Sequence, residues 1–213
     1  MSKRGKFIVL EGLDGAGTTT QAFLLCKYLF EKHKANVPVL TREPTSLTPY
    51  GLEIRRRLKH ELLPNETVID DFKYWADLFV NDRKWHLSEI IESNLHKGLT
   101  IISDRHMLST LAYQSAQGGQ MEYLVSLHAG LTAPDLTLFL RVPVDVSLHR
   151  IMANRCGTPE FFEKKEFLEK TAQNYEHAIN LVGQQQKVAI IDGTLPIEEV
   201  HQQIRIEVDK LYK

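Results

Sequence analysis

The chain has 213 residues, with 26 Lys and Arg against 27 Asp and Glu, a net charge of -1, and 43% hydrophobic residues. This balance supports an ordinary core under a mixed surface and excludes a strongly basic nucleic-acid binder and an acidic disordered tail. Cys26 and Cys156 stand far apart, so neither a disulfide framework nor a thiolate zinc site is indicated. No uncharged stretch reaches the ~18 residues of a membrane span. The apolar run near the start is ended by Glu11 and is too short for a signal segment. A cytoplasmic protein without membrane or nucleic-acid partners is expected.

In chain order, residues 7–10 read as a first strand, followed by glycines. Residues 20–32 read as a helix, with Phe23, Leu24, Tyr28 and Leu29 at helical spacing. Residues 37–41 form a second predicted strand, closed by Pro44. Residues 70–97 read as one long helix whose Trp75 and Trp85 suit a core or a dimer surface. Strands follow at 99–103, 136–142 and 188–191, and helices at 144–153, 161–182 and 197–212. Several strands are continuously apolar, which suits burial on both faces. The expectation is an α/β fold: one domain over 1–213, with a central parallel sheet of about five strands and helices on both faces. After the last strand, Thr194 suits a helix cap and Pro196 an early helical position.

Between the first strand and helix lies Gly12-Leu13-Asp14-Gly15-Ala16-Gly17-Thr18-Thr19. This is the spacing of a phosphate-binding P-loop, G-x-x-x-x-G-K-[ST], with one departure. Glycines let backbone N–H groups close on a polyphosphate, and the helix N-terminus adds positive potential. Gly12, Gly15, Ala16, Gly17, Thr18, Thr19 and Thr20 are the candidate ATP-binding residues, with a hydroxyl of Thr19 or Thr20 available to Mg²⁺. The departure is Thr18, which stands where the motif has Lys. One lost donor to a transition state costs roughly 2.7–4 kcal/mol. The alternative is a glycine-rich strand–helix turn that binds nothing.

Other segments match a pattern in order: Thr41-Arg42-Glu43-Pro44, Leu78-Phe79-Val80-Asn81-Asp82-Arg83, the long run from Asp104-Arg105-His106 through Ser109-Thr110 to Tyr113-Gln114, and Pro134-Asp135-Leu136-Thr137. With the glycine loop, these make the chain resemble the thymidylate kinases, which phosphorylate dTMP with ATP. The resemblance covers nearly the whole length, and the Asp104–Gln114 run is its most specific part. It implies a three-layer P-loop kinase fold with a lid at about 150–163, transfer of the γ-phosphoryl group of ATP to dTMP, Mg²⁺ and a homodimer.

A monoester phosphate is largely a dianion near neutral pH and needs no general base. Catalysis is then positioning plus charge neutralisation. Arginines are expected at the ends of parallel strands, where ligands bind; Arg42 and Arg105 qualify, with surface ion pairs as the plain alternative. By resemblance Asp14, Arg105 and the lid's Arg155 are catalytic, with Arg150 a further lid arginine. Asp14 positions the acceptor or its Mg²⁺, or is a turn former, and Thr19 with Asp104 serves the metal. Phe79 and Arg83, at i and i+4, share a helix face. The resemblance stacks Phe79 on thymine and bonds Arg83 to an exocyclic oxygen; core packing and a surface salt bridge are their alternatives. By the same resemblance Ser109, Thr110, Tyr113 and Gln114 read the pyrimidine and sugar, Tyr113 crowding the 2′ position; an ordinary partly buried aromatic is the alternative for Tyr113. His106 reads as structural or as a neighbour of phosphate. Two further readings of function stand beside this one: a nucleotide-binding protein without phosphoryl transfer, and a kinase for another acceptor such as dUMP.

Overall fold

The computed structural model describes residues 4–32, 37–154, 162 and 164–213. Five strands, β1 (Phe7–Gly12), β2 (Val39–Arg42), β3 (Ile101–Asp104), β4 (Leu136–Arg141) and β5 (Val188–Asp192), form one sheet in the order β2-β3-β1-β4-β5. Every pairing is parallel. All six residues of β1 are buried. Successive side chains on a strand point to opposite faces: Phe7 and Val9 pack with Leu87, Ile91 and Leu95, whereas Ile8 and Leu10 join the larger core. Cover on both faces explains why the strand is apolar without alternation.

The helices are α1 (Thr18–Lys32), α2 (Pro49–Leu58), α3 (Phe72–Trp85), α4 (Ser93–His96), α5 (Met107–Ala116), α6 (Met121–Ser126), α7 (Val144–Asn154), α8 (Lys165–Val182) and α9 (Ile197–Asp209). The long helix expected over 70–97 is continuous from Phe72 to His96, but its middle, His86–Glu92, widens into a π-helix. Trp75 is a core residue, 1% exposed. Two helices are not visible as patterns in the sequence. α2 is rich in arginine and buries only Ile54 among its large apolar residues, and α6 has only six residues. The helix expected from 161 begins at Lys165. Thr194 does not cap α9: its N–H and hydroxyl both donate to Asp192 Oδ1, at 2.9 and 2.6 Å, and Pro196 stands at the cap itself.

The register fixes the site. Arg42 lies beside Asp104, and Asp104 beside Leu10, at the carboxyl edge of the sheet. Past that edge run the glycine loop, the turn after β2 and the start of α5. Among the described residues no helix is long and apolar enough to cross a membrane.

Candidate active site

The glycine loop wraps the start of α1. Gly15 and Gly17 have φ of +77° and +98°, left-handed values that favour glycine. A side chain at Gly15 would also strike α7, since a Cβ there lies 2.6 Å from Ser147 O. The Ser147 hydroxyl in turn donates to Asp14 O. So α7 sits directly on the loop and brings Arg150, whose Nη1 is 3.5 Å from Ala16 O. Loop residues 14–20, Gln21, Arg150, Gly193, Leu195 and Ile197 line a cleft with about 970 Å³ of empty volume. Gln21 Nε2 donates to Ile197 O at 2.9 Å, tying α1 to the loop after β5.

Thr19 Oγ1 donates to Asp104 Oδ2 at 2.5 Å, while the buried Oδ1 of Asp104 has no hydrogen-bond partner among the described residues. A hydroxyl and a carboxylate with a spare oxygen, beside a phosphate loop, fit Mg²⁺, which typically takes one or two protein ligands and completes its shell with phosphates and water. Among the described residues there is no cluster of three or more His, Cys, Asp or Glu able to hold a metal by themselves.

A second cavity, with about 490 Å³ of empty volume, lies on the other side of Asp14. Phe79, Leu58, Tyr113 and Phe162 give it apolar walls, and Arg105, Ser109, Thr110 and Gln114 supply its polar groups. Phe79 is half-buried, 6.3 Å from the Trp75 ring. Phe162 lies 5.2 Å from Trp75 and 5.7 Å from Tyr113, ring centre to ring centre. Gln114 Oε1 is buried without a hydrogen-bond partner among the described residues. At the polar end, Arg105 Nη2 donates to Asp14 Oδ1 at 2.6 Å, and Tyr113 donates to Asp14 Oδ2 at 2.9 Å. Burial alone would lower the Arg105 pKa; the Asp14 carboxylate and its other neighbours hold it well above the usual value.

Beneath this cavity lies a buried ionic cluster. Glu43 Oε2 accepts Arg83 Nε at 2.7 Å, and Oε1 faces Nδ1 of His86 and of His106, each at 3.1 Å. Burial works to raise the Glu43 carboxyl, but Arg83, His106 and His86 hold it well below the ordinary range. Arg83 Nη2 donates to Thr110 Oγ1 at 3.0 Å, and Nη1 meets His128 Nε2 at 2.5 Å. His128 Nδ1 lies 2.8 Å from Leu124 O, which can only accept. The proton therefore sits on Nδ1, and Nε2 is free to accept from Arg83. Burial, with Arg83 alongside, lowers the His128 pKa to about 3.

A profile of the thymidylate kinase family matches residues 10–204. The chain belongs to the thymidylate kinase family. It is 38% identical to a probable thymidylate kinase of Pyrococcus abyssi over 205 residues, 94% of each chain. It is 34% identical to the thymidylate kinase of Carboxydothermus hydrogenoformans over 209 residues, covering 95% of this chain and 96% of that one. Its fold matches the solved structure of thymidylate kinase from Candida albicans with a TM-score of 0.80 at 29% identity, covering all of this chain and 96% of that one.

Most residues that the family resemblance singles out converge on the two cavities. Asp14 borders both. Phe79, Arg105, Ser109, Thr110, Tyr113 and Gln114 line the second. Arg83 is neither a surface salt bridge nor a wall residue: it is 1% exposed and reaches the cavity through Thr110. Ser109 turns its hydroxyl toward Glu11, Arg105 and Tyr175. Arg42 ends β2 with its side chain exposed and outside the walls of both cavities. Arg155, and with it most of the lid expected at 150–163, lies outside the described residues. His106 is structural, held by Glu43. Sequence reasoning missed Glu11, Glu43, His128, Phe162 and Tyr175 as members of the site. Glu43 stood within the Thr-Arg-Glu-Pro match, and a charge set among strand-ending residues was its one signal.

Proposed function

We propose that the protein transfers the γ-phosphoryl group of ATP to dTMP, yielding ADP and dTDP. The observation that carries this reading is the meeting of the two cavities at Asp14: a glycine-loop cleft on one side and an aromatic-walled pocket ending on Arg105 on the other. A phosphate of the molecule in the second cavity then lies next to the terminal phosphate of the one in the first. Alignment of two reactants in this way is worth several kcal/mol of barrier.

In this proposal the thymine ring stacks against Phe79, and Gln114 and Thr110 bond its edge, with Arg83 holding Thr110 from behind. Tyr113 stands at the sugar, and Arg105 receives the monophosphate. An oxygen of that phosphate attacks the γ-phosphorus as the bond to the β–γ bridging oxygen breaks, and the electron pair leaves on ADP. Backbone N–H groups of the loop, Thr18, Thr19 and Thr20 hold the donor. Arg150, and Arg155 further along the chain, supply the positive charge that Thr18 cannot. Thr19 and Asp104 hold Mg²⁺, which neutralises charge on the donor phosphates when bound. Homodimer assembly and a cytoplasmic site of action belong to the same proposal and rest on the family alone.

The test is a coupled ADP-release assay with folded protein, ATP, Mg²⁺ and each nucleoside monophosphate in turn. The expected outcome is the highest kcat/KM for dTMP, since specificity is that ratio. A higher value for dUMP shifts the acceptor, and no turnover with any monophosphate removes the activity.

A further inference from the structure

Glu11 has no place in the chemistry described so far. It is fully buried, one residue before the end of β1, and does not line either cavity. Its carboxylate nonetheless meets four donors. Oε1 accepts the backbone N–H of His106 at 2.8 Å and of Ser109 at 3.2 Å, across the first turn of α5. Oε2 accepts the Ser109 hydroxyl at 2.5 Å and shares the Tyr175 hydroxyl proton, at 3.3 Å, with Gly12 O at 3.1 Å. A β1 side chain is thus the cap of a helix from elsewhere in the sequence.

The same two hydroxyls grip Arg105. Its Nη1 donates to Ser109 Oγ at 2.9 Å, to Tyr175 OH at 3.3 Å and to Gly12 O at 3.0 Å. Nη1 is therefore fixed on the protein side, while Nη2 stands with Asp14 at the cavity. The backbone of Arg105 also needs holding: its φ is +77°, a left-handed value for a residue with a side chain. Such strained residues persist where the surroundings over-determine them. The hydrogen bond from Arg105 N to Leu10 O, at 2.9 Å, and the Glu11 cap on either side of it supply that constraint.

We infer that Glu11 is a positioning residue for phosphoryl transfer: through Ser109 and Tyr175 it holds the Arg105 guanidinium in the one orientation that meets the acceptor phosphate. This rests on the proposed function for the identity of the acceptor. It makes Glu11 more than a cap, because a cap acts on α5 as a whole whereas a positioning residue acts through Arg105.

The test uses the full chain with Glu11→Gln, Tyr175→Phe and Arg105→Ala, and with Glu11→Gln and Tyr175→Phe each combined with Arg105→Ala. Steady-state kinetics, dTMP calorimetry and thermal unfolding are measured for each. Glu11→Gln is expected to lower kcat by about 10- to 100-fold, the scale of a small misplacement of a reacting group, and to weaken dTMP, with the KM for ATP within about twofold. In the Arg105→Ala background the same substitution is expected to cost less than about threefold, because residues in one network do not add. Wild-type kcat in Glu11→Gln, or an equal loss with and without Arg105, overturns the inference. If Glu11→Gln does not fold, Tyr175→Phe carries the test: its loss of kcat must likewise vanish without Arg105. If wild type itself lacks turnover, the proposed function fails instead. Glu11 is then judged by calorimetry, where dTMP binding weakened in Glu11→Gln, and no weaker in the Glu11→Gln and Arg105→Ala double variant than in Arg105→Ala alone, supports positioning, and unchanged binding in Glu11→Gln refutes it.

Discussion

Replacing Glu43 by Gln probes the ionic cluster under the acceptor cavity. Glu43 and Arg83 are 3% and 1% exposed, their charged groups 2.7 Å apart, and Glu43 also receives His86 and His106. Removing one partner of such a pair leaves the other charge buried, at a cost of about 3–5 kcal/mol. Unfolding entropy runs near 2.1 cal/mol/K per residue, so a chain of 213 residues has about 0.45 kcal/mol/K. The expected fall in Tm is therefore about 7–11 °C. The pH dependence has a definite sign. The Glu43 carboxyl is held well below its ordinary value in the folded state. Its stabilisation is therefore full above the unfolded pKa, near 4.3, and is lost as the pH falls through the folded value. Calorimetric scans from about pH 7 to 5 should show a gap between wild type and Glu43→Gln that does not narrow, since without Glu43 the buried His106 is harder still to protonate, and that closes only in stronger acid. Function should move too: Arg83, no longer anchored, releases Thr110, and the KM for dTMP rises while that for ATP does not. A Tm shift below about 2 °C, or a gap already closing near pH 6, refutes this account of the cluster.

Arg105→Ala should lower kcat/KM for dTMP by about 100-fold or more while leaving ATP-analogue affinity nearly unchanged in calorimetry, and a collapse of donor binding would place the arginine on the other substrate. Gly15→Ala puts a Cβ 2.6 Å from Ser147 O at a φ of +77°; a stability loss of about 1–3 kcal/mol is expected in urea unfolding, with a raised KM for ATP, and an unchanged midpoint contradicts the packing of α7 on the loop. His128 titrates near 3 in the fold, so wild type should gain stability relative to His128→Gln as the pH rises toward 6.5, by about 1.4 kcal/mol per pH unit; parallel curves for the two proteins would show that the ring is not held neutral by burial.

The sheet was legible because β1 carries the apolar run Phe7–Leu10 and β4 is mostly apolar, each bounded by glycine or proline, as a doubly covered parallel sheet requires. α2 was not, because Arg55, Arg56 and Arg57 break its apolar pattern. Their partners explain the charge: Arg56 and Arg57 pair with Glu53 and Glu66, and Arg55 reaches the carbonyls of Pro44 and Thr45. The π-helical turns were equally hidden. They follow directly on Trp85, with His86 as their first residue three positions after Arg83, and both side chains reach Glu43, an arrangement that spacing at 3.6 residues per turn does not single out. In the site, Asp14, Phe79, Arg105, Tyr113 and Gln114 could be found because they fall in short motifs. Glu11 and Tyr175 stand far apart in the chain and meet only when β1, α5 and α8 pack, and His128, just past α6, meets Arg83 of α3 only in the fold. Phe162 carried no chemistry that would mark it in advance, since its contribution is one wall of the acceptor cavity.

Thr18 is the residue most at odds with phosphoryl transfer. The direct measurement is dTMP-dependent ADP release, with Mg²⁺ and ATP, for wild type and for Thr18→Lys side by side. If Arg150 and the loop's N–H groups supply the charge, wild type turns over, at a kcat in the ordinary enzyme range of about 1–10³ per second, and the added ammonium changes it by less than about tenfold. A folded wild type with no turnover, beside a Thr18→Lys variant that has it, would contradict the account.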